Sequence, residues 1–206
     1  MTETLMIPLA LCLSFVAGSV PTGYWLGLIC CGKHIRKEGS GNIGATNTLR
    51  CLGKGYGIIA LAVDVFKGWA AVILFSKLYT WDYLPIACGL AAILGHTFSI
   101  FVRFRGGKGV ATSAGVFIAL APGAALVAGI VFLVAFLITR MVSVGSVSAS
   151  AALAVSVFVF DLPTPTRFFT AFVALLIIVR HQSNLRRIWR GEEPKLSFAS
   201  KNKADG

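Results

Sequence analysis

The chain has 206 residues, of which 56% are hydrophobic and only 13% charged, and its mean hydropathy is +0.81. That balance leaves too little polar surface to solvate a water-soluble domain of this length, so the bilayer is the solvent the sequence implies. A formal net charge of +11 would suggest nucleic acid if the cations formed a stripe. Here they sit between apolar runs, which excludes a nucleic-acid partner and follows the positive-inside pattern of membrane proteins.

In chain order, Met1-Thr2-Glu3-Thr4 lacks a positive leader segment, and the apolar run behind it, residues 5–29, exceeds a secretory h-region. It is expected to remain as a membrane span. Further runs long enough to cross the hydrocarbon cover residues 56–76, 84–101, 110–139, 144–160 and 166–180. The fourth of these contains Pro122-Gly123, a pair that punctuates helices. Splitting it into 110–121 and 124–139 predicts an all-α polytopic membrane protein with seven transmembrane helices. Both halves are short for a span and imply local thinning or polar anchors.

The cations fix the expected orientation. With the N-terminus outside and the C-terminus cytoplasmic, the inner segments hold Lys33, Arg36, Lys37, Arg50 and Lys54, then Arg103, Arg105 and Lys108, then Arg140, and finally Arg180, Arg186, Arg187, Arg190, Lys195, Lys201 and Lys203. These are sixteen of the nineteen Lys and Arg residues. Without the split at Pro122, Arg140 and the basic tail would fall on the opposite face from the first loop. The expected organisation is one transmembrane domain over residues 1–190, with cytoplasmic-side loops, and a polar cytoplasmic tail over 191–206, poorly ordered beyond Pro194 and without a catalytic role. Cys12, Cys30, Cys31, Cys51 and Cys88 show neither C-x-x-C nor metal-ligand spacing, so free thiols are expected, with no metal and no cofactor.

Three polar stretches, far apart in sequence, fall on the inner side under this topology. The first runs from Gly39 through Ser40, Gly41, Asn42, Ile43, Gly44, Ala45, Thr46, Asn47, Thr48 and Leu49 to Arg50. Its glycines let the backbone bend into an anion-holding nest, and its Ser, Thr, Asn and Arg side chains offer donors. A turn and helix cap would use the same residues. The second is Gly106-Gly107-Lys108-Gly109, where backbone N–H groups at a helix start and one lysine make a phosphate site. It is not a Walker A loop, because Gly109 follows the lysine and Val102 occupies the earlier glycine position. The third, Arg180 to Arg187, puts His181 and Asn184 on one helical face. Asp64 and Lys67, three residues apart inside a span, read as a mutually neutralising pair. His96 reads as a hydrogen-bonded core residue, and Ser143 and Ser146 as helix-start donors.

Taken together, Gly18–Tyr24 (GSVPTGY), Gly39–Arg50 (GSGNIGATNTLR), Asp64–Gly68 (DVFKG), Leu94–Phe101 (LGHTFSIF), Gly106–Thr112 (GGKGVAT) and Arg180–Arg187 (RHQSNLRR) resemble the acyl-phosphate-dependent glycerol-3-phosphate acyltransferases of bacteria, the PlsY family. The likeness runs through nearly the whole chain. It implies a multi-pass enzyme of the bacterial inner membrane, with its site facing the cytoplasm, that moves a fatty acyl chain from acyl phosphate to the 1-hydroxyl of glycerol 3-phosphate. By the same likeness Ser40, Arg50, Lys108, His181 and Asn184 would be catalytic. Gly41, Asn42, Thr46, Asn47, Gly106, Gly107, Gly109 and either Ser143 or Ser146 would bind substrate. The chemistry agrees: two phosphate-bearing substrates need fixed cations and backbone donors, the acyl chain needs an apolar groove open to membrane lipids, and a mixed anhydride needs no covalent enzyme intermediate. His181 is then an orienting group, with substrate phosphate available as proton acceptor. An organic-phosphate transporter is the competing class, but it predicts polar residues at mid-membrane in several helices, whereas here they crowd the inner rim. The soluble H-x-x-x-x-D acyltransferase signature is absent, since Gly39, Phe101 and Arg186 stand at the fifth position after His34, His96 and His181.

Overall fold

The computed structural model describes residues 5–196. The expectations for Met1–Thr4 and for the tail beyond Leu196 lie outside the described residues. Ten α-helices follow in order: α1 (Met6–Ser19), α2 (Thr22–Trp25), α3 (Ala45–Leu52), α4 (Lys54–Ile73), α5 (Leu84–Thr97), α6 (Val110–Leu120), α7 (Pro122–Thr139), α8 (Val142–Val159), α9 (Thr164–Arg180) and α10 (Gln182–Trp189). A π-helical turn, Leu26–Cys30, continues α2. Lys54–Leu78, Leu84–Val102, α7 and α8 are each long and apolar enough to cross a membrane. Two bent pairs, Met6–Ser19 with Thr22–Cys30 (43°) and Thr164–Arg180 with Gln182–Trp189 (54°), bring the number to six if each pair is one span, and Val110–Leu120 is a shorter apolar helix. The protein is a multi-pass membrane protein.

Pro122 acts as predicted. α6 ends at Leu120 and α7 begins on the proline itself, where its missing N–H costs nothing. The first run differs from expectation. Residues 5–29 read as one continuous span, but Val20-Pro21 breaks it, because Pro21 lacks an N–H and its ring blocks the preceding turn.

Little hydrophobic drive exists between helices in lipid, so close packing must hold them. Glycines supply it reciprocally in two pairs. Between α1 and α5, a Cβ on Gly18 would lie 2.2 Å from the Ala92 carbonyl oxygen, and one on Gly95 would lie 2.2 Å from that of Phe15. Between α4 and α6, a Cβ on Gly68 would lie 2.1 Å from the Thr112 carbonyl oxygen, and one on Gly115 would lie 1.9 Å from that of Val65. The second pair matters for function, because it sets the start of α6, and with it Lys108, against α4. α7 packs on α8 and α8 on α9, closing a core of Phe117, Ala124, Leu153, Phe169, Val173 and Ile177.

Candidate active site

The loop ahead of α3 is shaped by Asn47. Its Oδ1 accepts from the Ser40 N–H (2.8 Å), and its Nδ2 donates to the carbonyls of Ile35 (2.8 Å) and Glu38 (3.2 Å). The chain wraps the amide closely: Gly39 sits at φ +58°, and a Cβ there would lie 2.3 Å from Asn47 Oδ1. Asn42 closes a second small turn, its Oδ1 accepting from Gly44 N–H at 2.8 Å, and Gly41 just before it takes φ +70°. Asn47 is thus spent on holding the loop, whereas Asn42 gives only its Oδ1 to the turn. Ser40 and Gly41 are exposed on it, and Thr46 and Arg50 are half-buried on α3.

The glycine-lysine stretch is seated on the end of α5. Gly106 N–H donates to the Thr97 carbonyl (3.1 Å) and Gly107 N–H to that of His96 (3.0 Å). From the other side the Arg180 guanidinium donates through Nη2 to the carbonyls of Gly106 (3.3 Å) and Gly107 (3.2 Å). Gly109 then takes φ +85° and launches α6, whose first turn brings unpaired N–H groups directly behind Lys108.

The three stretches meet at one end of the bundle. Lys108 Nζ donates to Asn184 Oδ1, although 76 residues separate them. Asn184 Nδ2 donates to Glu193 Oε1 (2.6 Å), Ser143 Oγ donates to the same oxygen (2.7 Å), and Arg187 Nε donates to Glu193 Oε2 (2.8 Å). Arg50 Nη2 reaches the Pro194 carbonyl (3.2 Å), Leu196 N–H reaches that of Arg140 (2.8 Å), and Arg36 bonds the Arg105 carbonyl. Ser143 is therefore the serine that joins the site. Ser146, one turn deeper, bonds back to the Val142 carbonyl at 2.9 Å. His181, buried at the bend between α9 and α10, lies with Nδ1 2.8 Å from the Ile177 carbonyl. A carbonyl only accepts, so this contact puts the proton on Nδ1 and leaves Nε2 with a free lone pair.

Glu193 was not singled out from the sequence, and residues 191–196, read there as polar tail, fold back onto the bundle. The cause is local. Gly191 (φ +72°) ends α10 in a Schellman turn, with Gly191 N–H on the Ile188 carbonyl (3.0 Å) and Glu192 N–H on that of Arg187 (2.8 Å). The reversal points Glu193 back at Arg187 and into the site, where it is 6% exposed. The signal was a glycine followed by two carboxylates just after an arginine-rich helix. Burial tends to raise its pKa, but the bonds from Ser143, Asn184 and Arg187 outweigh this and hold it below the usual range. Lys108 is pushed down to about 8, first by burial and then by the nearby Arg187, Arg50 and Arg180, with Glu193 opposing.

An apolar groove runs along α4, lined by Ile58, Leu61, Val65, Phe66 and Trp69, with Ile118 of α6 opposite. Among the described residues no group of three or more His, Cys, Asp or Glu side chains could hold a metal ion.

The fold and site define a helical, multi-pass membrane protein with cationic side chains and glycine-rich backbone gathered at one end of its bundle. The family model for glycerol-3-phosphate acyltransferase matches residues 8–191, and the chain belongs to that family. It is 42% identical to the glycerol-3-phosphate acyltransferase of Macrococcus caseolyticus, over 94% of this chain and 99% of that one. It is 44% identical to glycerol-3-phosphate acyltransferase 2 of Moorella thermoacetica, over 93% and 98%. Among solved structures it is similar to PlsY, an integral membrane glycerol 3-phosphate acyltransferase. Against the glycerol 3-phosphate form the TM-score is 0.88 at 35% identity, covering 93% of this chain and 96% of that one. Against the lysophosphatidic acid form it is 0.84 at 34% identity, covering 93% and 95%.

Proposed function

We propose that this protein transfers a fatty acyl chain from acyl phosphate to the 1-hydroxyl of glycerol 3-phosphate, releasing 1-acylglycerol 3-phosphate and phosphate. The observation that carries the reading is the meeting of Lys108 with Asn184, Ser143 and Glu193, close to the Arg50 and Arg180 guanidiniums that fasten the same end of the bundle. Both substrates bear phosphate, and this is where fixed cations and the unpaired N–H groups of the first turn of α6 gather.

In the transfer the glycerol oxygen attacks the acyl carbonyl carbon, the bond from that carbon to the phosphate oxygen breaks, and the hydroxyl proton ends on a phosphate oxygen. Lys108 and the unpaired N–H groups at the start of α6 hold the phosphate of glycerol 3-phosphate, and Arg50 that of acyl phosphate. His181 Nε2, its tautomer fixed by the Ile177 carbonyl, accepts from the glycerol hydroxyl and orients it. Ser40 and Thr46 line the loop side, and the groove along α4 takes the acyl chain. Seven spans, with the N-terminus outside and the site facing the cytoplasm of the bacterial inner membrane, follow from the distribution of lysine and arginine. Residues up to Leu196 belong to the enzyme domain.

The test uses purified, detergent-solubilised protein with glycerol 3-phosphate and either acyl phosphate or acyl-CoA, following phosphate release and lysophosphatidic acid. Turnover with acyl phosphate only, falling on the order of a hundredfold in Lys108→Ala, is expected. Turnover with acyl-CoA refutes the donor assignment, and a folded protein inactive with both donors points to phosphate-ester transport.

A further inference from the structure

We propose that Asp64, Lys67 and His96 are positioning residues for the glycine-lysine loop, forming a buried pedestal that sets the height of Gly107 and so the affinity for glycerol 3-phosphate. The proposal rests on the reading of Lys108 and the start of α6 as a phosphate cradle. The three side chains are only 2%, 5% and 6% exposed. Lys67 Nζ lies 2.8 Å from Asp64 Oδ1 and donates to the Val20 carbonyl at 2.9 Å, and Thr22 Oγ1 is 3.5 Å from the same carboxylate oxygen. The cluster therefore ties α4 to the break in the first span, whose freed carbonyl needs a donor inside a bilayer. His96 Nδ1 stands 3.7 Å from Asp64 Oδ1. The opposite edge of the ring lies under the loop: a Cβ on Gly107 would be 2.1 Å from His96 Nε2, 2.8 Å from Cε1 and 3.0 Å from Cδ2.

Mutual neutralisation of Asp64 and Lys67 would need nothing beyond the pair. An apolar pair of similar volume often serves as well or better. What the pair does here is hold an imidazole between a fixed carboxylate and a backbone that has no side chain to spare. Gly107 rests on the ring, its N–H bonds the His96 carbonyl, and Arg180 closes the loop from the far side. Any movement of the ring passes directly into the loop that carries Lys108.

Two neighbouring glycines separate the ring from the backbone beneath it. The three atoms nearest a methyl on Gly107 all belong to the His96 ring, whereas one on Gly106 meets the carbonyl oxygens of His96 and Thr97 at 2.0 and 2.7 Å. Initial rates in detergent are measured for Gly107→Ala, Gly106→Ala and His96→Ala, and for His96→Ala combined with each glycine variant. His96→Ala is expected to raise the KM for glycerol 3-phosphate by about tenfold, with kcat changed less than about threefold, and His96→Gln to recover part of the loss. Combined with Gly107→Ala it should restore KM relative to Gly107→Ala alone, because the methyl enters the space left by the ring. Combined with Gly106→Ala it should restore nothing. Equal additivity in both combinations, or losses in kcat without KM, overturns the pedestal. Should His96→Ala fail to fold, the isosteric Asp64→Asn carries the same KM test and an unchanged KM overturns it. Lys108→Ala separates the two levels: an unchanged KM there refutes the cradle itself, whereas a raised KM beside wild-type values in the His96 and Asp64 variants refutes only the pedestal.

Discussion

Removing Glu193 tests whether the segment after α10 is part of the enzyme or an appendage. In Glu193→Ala, Ser143 and Asn184 lose their shared acceptor while remaining buried, at about 1–3 kcal/mol each. Arg187 is one-third exposed, so water takes over its bond and its loss counts for little. The total, roughly 2–6 kcal/mol, is a large part of the 5–15 kcal/mol that typically holds a folded domain. Glu193→Gln keeps an acceptor for Ser143 and Asn184 and should cost less than about 1 kcal/mol, because the bond it weakens, to the part-exposed Arg187, is one that water replaces. Function should follow, because Asn184 freed from Glu193 can turn its amide and withdraw the oxygen that Lys108 uses. Thermal unfolding in detergent, read by the reaction of the buried Cys88 thiol with a fluorogenic maleimide, reports the first effect, and kcat/KM for glycerol 3-phosphate the second. A Glu193→Ala protein that melts within about 0.5 kcal/mol of wild type would refute the reasoning.

Two other outcomes follow from the geometry. With its pKa near 8, Lys108 is charged below that pH and neutral above it, while the substrate phosphate becomes dianionic above about pH 6. The kcat/KM for glycerol 3-phosphate should therefore rise through about pH 6 and fall above about pH 8, and Lys108→Arg should remove the alkaline fall even if it lowers the plateau; a wild-type profile flat to pH 9.5 contradicts the assignment. Gly115→Ala should destabilise by about 1–3 kcal/mol, because its methyl meets the Val65 carbonyl and forces α4 from α6. Gly129→Ala, with nothing within 4 Å of the new Cβ, should be neutral or stabilising by up to about 1 kcal/mol, and equal melting temperatures for the two would refute the packing account.

Much of the fold was legible because a bilayer allows few solutions. Apolar length located the long apolar helices though not the polar α3 and α10, and Pro122 gave away the break that hydropathy alone hides. The break at Val20-Pro21 escaped because the apolar run continues on both sides of it, and hydropathy does not register a missing N–H. The polar stretches around Arg50, Lys108 and His181 stood out against an apolar background, yet their contacts could not be read. Lys108 meets Asn184 across 76 residues and Ser143 meets Glu193 across 50, and spacing carries no information at that range. The same limit left Ser143 and Ser146 undecided. They differ by less than one helical turn, and only tertiary packing separates a side chain bonded to Glu193 from one bonded to its own helix.

The buried carboxylate also answers a question that the cations raise. Arg50, Arg180 and Arg187 each lower the pKa of Lys108, so the four positive groups repel one another. Such crowding suits a site that receives phosphate, because an arriving dianion relieves repulsion already present as well as making new bonds. It also burdens the empty protein, and Glu193 offsets part of that cost with one charge tied to Arg187, Asn184 and Ser143. One carboxylate against four cations leaves this end of the bundle positive while tying α8 to α10 through Ser143, Asn184 and Arg187.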